Sequence, residues 1–106
     1  MVIIHIETAE AAAAVEGYVA IDDVDVLFIG PTDLSHSLGH PGDPGHPDVV
    51  KVMDHVTDIV TASEKALGIF VGTRQAAAAW QEKGARYIAA GLEGLIKQGI
   101  QAYLPG

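Results

Sequence analysis

Two carboxylates in this chain stand where an apolar run breaks off. Glu7 follows Val2-Ile3-Ile4-His5-Ile6, and Asp33 follows Val24-Asp25-Val26-Leu27-Phe28-Ile29 by way of Gly30-Pro31-Thr32. In a parallel α/β sheet the C-terminal strand ends lie side by side on one face, so acids carried on successive strand-helix units converge there. Two converging carboxylates suit a hard divalent cation, which prefers oxygen donors and keeps coordination positions for water or a bidentate ligand. His5 stands two residues before Glu7 and shares its strand face by the period of two. Three roles are open to it: donating to a bound oxygen, ligating the metal, or filling the mouth of the sheet.

The elements that would position these groups follow from the spacing. Residues 2–6 are β-branched apart from His5, the pattern of a strand buried on both faces. Thr8 is a helix cap, followed by Glu10 in the first turn and the alanines Ala11 to Ala14, with Gly17 as the expected stop. Residues 24–29 form a second strand, which Gly30-Pro31 ends. From Ser35 to His46 five of twelve residues are Gly or Pro and three are His, so a loop is expected there. Pro47 and Asp48 then open a helix whose apolar residues, Val49, Val52, Met53, Val56, Ile59, Val60 and Leu67, recur at helical spacing until Gly68 closes it. Ile69-Phe70-Val71 is a third strand. Thr73 caps a helix through Trp80 that stops at Gly84, Tyr87-Ile88-Ala89-Ala90 is a fourth strand, and a last helix runs from after Gly91 to about Leu104, before Pro105-Gly106.

Four strands alternating with four helices make a parallel (βα)4 unit, equivalent to half of a TIM (β/α)8 barrel, within a single domain over residues 1–106. A whole barrel of this kind takes about 250 residues. A small open doubly wound sheet has the same alternation, and composition does not separate the two.

Composition limits the partners. With 14 acids against 6 bases and a formal charge of -8, nucleic acid and anionic membrane surfaces are repelled, which leaves small molecules and proteins. Apolar residues make up 49% of the chain, enough for a packed core and against disorder. There is no cysteine, so disulfides, thiolate catalysis and cysteine zinc sites are excluded and a cytoplasmic location is expected. The first residues carry no basic run, and their apolar stretch is too short for a signal or a membrane span. The chain is thus expected to start inside a structural element.

Ile6-Glu7-Thr8, the run Val24-Asp25-Val26-Leu27-Phe28-Ile29-Gly30-Pro31-Thr32-Asp33-Leu34-Ser35, then Leu38-Gly39, His46-Pro47-Asp48-Val49 and Gly84-Ala85-Arg86-Tyr87-Ile88-Ala89-Ala90-Gly91 closely resemble the HpcH/HpaI family of class II pyruvate aldolases, over the C-terminal half of its barrel. The resemblance implies that Glu7 and Asp33 bind Mg2+, Mn2+ or Co2+, which acts as a Lewis acid on a 2-oxo acid such as pyruvate. It further implies that the turn after Gly30-Pro31, through the backbone N–H groups of Thr32 and Asp33, holds the substrate carboxylate. His5 takes the place of a glutamine that contacts substrate in the family, so Gly30, Thr32, Asp33 and His5 are the expected substrate contacts. The family's catalytic histidine, the acid that orients it and its arginine belong to the N-terminal half of the barrel. No catalytic residue is therefore assigned, and Arg74 and Arg86, which match no family motif, are read as solvated surface groups.

The implied activity is cleavage of a 4-hydroxy-2-oxo acid into pyruvate and an aldehyde. Two alternatives stand beside it: a citrate lyase β-like acyl-CoA lyase, and a non-catalytic half-barrel that binds metal, a 2-oxo acid or a partner chain. An isolated half-barrel leaves two open strand edges and an uncovered inner face, so a homo-oligomer or a partner chain is expected. His36 and His40 stand four apart with Asp43 nearby, but a zinc site there is set aside because a Gly/Pro-rich loop lacks the rigidity that a helix gives such a pair. His46 is assigned to helix entry, His55 to the polar side of its helix, and Trp80 to packing.

Overall fold

In the computed structural model, which describes residues 1–105, the apolar runs form four strands: β1 (Ile3–Ile6), β2 (Val26–Ile29), β3 (Ala66–Val71) and β4 (Ala85–Ala90). All pair in parallel, in the order β1-β2-β3-β4. Connections between neighbouring parallel strands are right-handed, so this order places every crossover on the same side of the sheet. A doubly wound sheet would reverse its strand order at a switch point. No reversal occurs here, and the unit is a segment of barrel wall.

The helices are α1 (Ala9–Ala13), α2 (Val15–Val19), α3 (Pro31–Ser37), α4 (Pro47–Thr61), α5 (Arg74–Glu82) and α6 (Leu92–Tyr103). That is six where the spacing predicts four. Gly17 does not stop the first helix. The break falls at Ala14, whose N–H is shared between the carbonyls of Glu10 and Ala11, and the chain turns there to place Val15 in the core while Gly17 sits inside α2. The loop expected from Ser35 starts later, because Pro31 at the first helical position leads into α3 through Ser37. Leu67 and Gly68 belong to β3, not to the preceding helix. Leu67 lies seven residues after Val60, which matches helical spacing, yet it also alternates with Ile69 and Val71, and burial of all three decides for the strand. The helix ends earlier, where the Ser63 hydroxyl donates to the Val60 carbonyl and accepts from Lys65 N–H.

Other signals are realised as read. Thr8 and Thr73 cap α1 and α5 by accepting from Ala11 and Ala76 N–H, His46 caps α4 through its ring, and Gly84 at φ +104 supplies the left-handed turn before β4. Arg86 lies within β4 rather than before it. Leu67 pairs with Ala85 and Gly68 with Tyr87, so Arg86 is the extra residue of a bulge, exposed as expected. The last helix matches its expected span, with the terminal Gly106 outside the described residues. No helix among the described residues is long and apolar enough to cross a membrane.

Strand alternation divides the sheet into two faces. Ile6, Leu27, Ile29, Leu67, Ile69, Val71 and Ala85 point to the helices, where they meet Val15, Leu34, Val49, Val56 and Val60 in one apolar core. Burying each such side chain contributes roughly 1.5–3 kcal/mol. The other face carries a row in register, His5, Phe28, Gly68 and Tyr87. The Phe28 ring lies 5.1 Å from that of His5 and edge-on to that of Tyr87 at 5.9 Å. This is the face that a complete barrel would turn inward, and here Phe70 and Tyr87 on it are exposed.

Candidate functional site

Register brings the two acids together. Ile6 pairs with Ile29, so the next residues, Glu7 and Gly30, leave the sheet side by side. Gly30 is buried and caps α3 with its backbone alone. A methyl group at that position would lie 3.0 Å from Glu7 Cγ and 3.2 Å from Oε1, so the absent Cβ is what lets the Glu7 side chain lie across the start of α3. Pro31 occupies the first turn without an N–H to satisfy, and Asp33 sits in the same turn, exposed.

The remaining residues of the Gly30-Pro31-Thr32-Asp33-Leu34-Ser35 motif hold that turn in place. Leu34 is fully buried in the core, and the buried Ser35 hydroxyl donates to the Thr32 carbonyl at 2.6 Å. At the last residue of α3 the Ser37 hydroxyl accepts from Ala9 N–H at 2.8 Å, which ties the start of α1 to the end of α3. Glu7 and Asp33 are thus carried on backbone fixed from both sides. At the opposite end of the strands the Asp25 carboxylate accepts from Val2 N–H at 2.7 Å, a structural role for the acid just before β2.

The result is a cavity of about 450 Å³ lined by His5, Glu7, Phe28, Gly30, Pro31, Thr32, Asp33 and Phe70. Every site residue expected from the sequence, His5, Glu7, Gly30, Thr32 and Asp33, lies on it. Sequence reasoning missed Phe28 and Phe70, whose signal was strand parity: Phe28 pairs with His5, and Phe70 stands two residues after Gly68 on the same face. His5 makes a contact that none of the three roles open to it describes. Its Nδ1–H donates to Glu7 Oε1 at 3.0 Å, with the imidazole beside Phe28, so His5 orients the glutamate.

Two carboxylates on a solvent-open cavity, with no thiol and with the neighbouring imidazole committed to one of them, form an oxygen-donor set. It fits a hard divalent cation that keeps several waters or a bidentate ligand. The first-turn amides of α3 lack acceptors within the helix, and no side chain caps them at Gly30. A carboxylate ligand would complement them.

The loop histidines do not meet as a four-apart pair. His40 contacts His46 and Asp48 at the start of α4, and neither His36 nor Asp43 joins that group. His55 is exposed, and Trp80 packs half-buried against the core with the Lys83 ammonium 4.5 Å from its ring centre.

Comparison with known proteins places this geometry among relatives. The sequence model of the HpcH/HpaI aldolase/citrate lyase family matches residues 1–98. A 4-hydroxy-2-oxo-heptane-1,7-dioate aldolase from Klebsiella pneumoniae is 36% identical over 102 residues, 95% of this chain and 38% of that protein. A pyruvate aldolase from Rhizobium etli is 36% identical over 101 residues, 94% of this chain and 40% of its own length. Among solved structures, an HpcH/HpaI aldolase/citrate lyase family protein from Burkholderia cenocepacia superposes with a TM-score of 0.88 at 37% identity, covering 94% of this chain and 39% of that one. The citrate synthase SbnG superposes with a TM-score of 0.84 at 27% identity, covering 96% and 42%. The chain therefore spans about two fifths of the length of the curated relatives it matches.

Proposed function

Because the chain belongs to the HpcH/HpaI aldolase/citrate lyase family, we propose that Glu7 and Asp33 form the divalent-metal and 2-oxo-acid site of a carbon–carbon lyase that cleaves 4-hydroxy-2-oxo acids into pyruvate and an aldehyde. The observation that carries this reading is the Glu7 side chain lying across Gly30, at the start of the turn that holds Asp33, in one open cavity. Mg2+, Mn2+ or Co2+ bound there would supply Lewis-acid polarisation of the 2-oxo group.

The chain's own residues supply positioning. His5 holds Glu7 Oε1 by a hydrogen bond, which leaves the other carboxylate oxygen free to serve as a ligand. The amides of Thr32 and Asp33, on the turn fixed by Ser35, receive the carboxylate of the 2-oxo acid. Phe28 and Phe70 give the cavity an apolar wall on one side. No described residue is assigned the role of proton-transfer group or arginine. The resemblance assigns them to the N-terminal half of the barrel.

The test is pyruvate release from 4-hydroxy-2-oxo-heptane-1,7-dioate, followed by a coupled NADH assay. Release that requires Mg2+, Mn2+ or Co2+ and stops on chelation supports this reading. If none of the three metals supports release and pyruvate does not bind in their presence, the site reading is wrong.

Binding without release supports a second reading, in which the chain holds metal and 2-oxo acid without turnover and pairs with another chain, such as a second copy of itself. The exposed Phe70 and Tyr87 on the inner face favour it, as do Leu92, Leu95, Ile96 and Ile100 exposed along α6. Light scattering at micromolar concentration is expected to give a mass above that of one chain. A clean monomer would remove the association.

A further inference from the structure

We propose that His40, His46 and Asp48 form a second cation site at the start of α4, selective for a borderline transition-metal dication such as Zn2+ and separate from the Glu7 and Asp33 pair. It does not depend on how those two acids are read.

The imidazoles of His40 and His46 lie stacked, 3.5 Å between centres and 13° from parallel. Both turn a ring nitrogen toward the same carboxylate oxygen: His40 Nε2 is 2.9 Å and His46 Nδ1 3.7 Å from Asp48 Oδ2. The donor atoms of all three residues lie within 4.8 Å of one another. In a tetrahedral zinc site with bonds of about 2.0–2.1 Å, donors stand roughly 3.3 Å apart. The two nitrogen-to-oxygen separations fall on either side of that value, and binding would also rotate the stacked rings out of parallel so that their in-plane lone pairs converge.

The frame is more rigid than a Gly/Pro-rich loop suggests. His40 N–H donates to the Ser35 carbonyl at 2.8 Å, Asp43 N–H to that of His40 at 3.0 Å, and His46 N–H to that of Asp43 at 3.2 Å. Gly39 and Gly42 take the left-handed conformations that these turns need, at φ +84 and +72. One donor already has its lone pair presented. His46 Nδ1 accepts Asp48 N–H at 3.1 Å, so it is unprotonated when it caps α4. A cation would take over that lone pair at the loss of one cap bond, and would replace the hydrogen bond between His40 and Asp48. The positive end of α4 opposes a cation here, and the Asp48 carboxylate offsets it.

Two imidazoles and one carboxylate suit Zn2+ and its neighbours, whereas Mg2+ favours carboxylate and water oxygen. The two sites would therefore sort metals between them. A cation at the start of α4 would also anchor the loop leaving α3, the helix that carries Thr32 and Asp33.

The test is a calorimetric titration with zinc chloride of the chain carrying Glu7→Gln and Asp33→Asn, which removes competition from the other acids. One zinc per chain is expected, with no response to magnesium, and His40→Ala should weaken zinc by about tenfold or more, as loss of a ligand does. In the unmodified chain, zinc equimolar with protein should move the imidazole NMR signals of His40 and His46 while those of His36 and His55 stay in place. Zinc binding indifferent to His40→Ala would overturn the proposal. So would unmoved His40 and His46 signals in the unmodified chain, a result that does not depend on any variant folding.

Discussion

Replacing Glu7 with glutamine is expected to weaken Mn2+ binding by about 100-fold, and Asp33→Asn by a similar factor, because each amide keeps the shape of its side chain but removes one anionic oxygen ligand from a hard-cation site. The loss should register as relaxation of water protons by Mn2+ in titrations of each variant. Neither change disturbs the core. Glu7 is only partly buried and Asp33 is exposed, so far-UV circular dichroism should stay that of the parent chain. In Glu7→Gln the side-chain amide oxygen can still accept from His5 Nδ1, which leaves the imidazole as placed. The doubly substituted chain should then bind 2-oxo acids no better with metal than without. Mn2+ affinity that survives both changes would leave the acids as solvated groups at strand ends, and the proposed activity would lose its metal.

Much of that site could be read from residue order because its geometry is local or follows from parity. Glu7 and Asp33 are placed by strand ends, Thr8 and Thr73 by capping within three residues, and Pro47 with His46 by the rules for helix entry. Leu67 was not legible as strand, since its position serves a helical and an alternating period equally, and only packing in the finished sheet chooses. Nothing local marks Ala14 as a break, since alanine favours helix; the break is set by the burial of Val15. The contact of His40 with Asp48 needs the loop to close over eight residues through hydrogen bonds from Ser35 to His46, which spacing alone does not reveal. The shared row of His5, Phe28, Gly68 and Tyr87 needs three strand registers.

That row makes Gly68 the position where fold and site are coupled most tightly. A Cβ there would stand 2.8 Å from Phe28 Cδ2, 3.1 Å from Val26 Cγ1 and 3.3 Å from the Tyr87 carbonyl oxygen. The first contact is closer than real Cβ atoms come, and the third is with backbone, which cannot move without opening the β3–β4 ladder. Overpacking of this kind costs about 1–3 kcal/mol, a sizeable part of the few kcal/mol that stabilise a small domain. Gly68→Ala should therefore lower the midpoint of urea unfolding with little change in its slope. The Phe28 ring is the neighbour able to give way, and it also flanks the imidazole that holds Glu7. Displacing the ring should consequently weaken metal and 2-oxo-acid binding in chains that remain folded, although Gly68 does not line the cavity. Phe28→Val in the same chain, which has no δ carbon, removes the atom at 2.8 Å and should restore part of the lost stability without restoring binding, because the valine gives His5 no ring to lie against. If Gly68→Ala unfolds at the parent midpoint, the sheet accommodates a methyl group there, and the close approach of Phe28 constrains neither the fold nor the site.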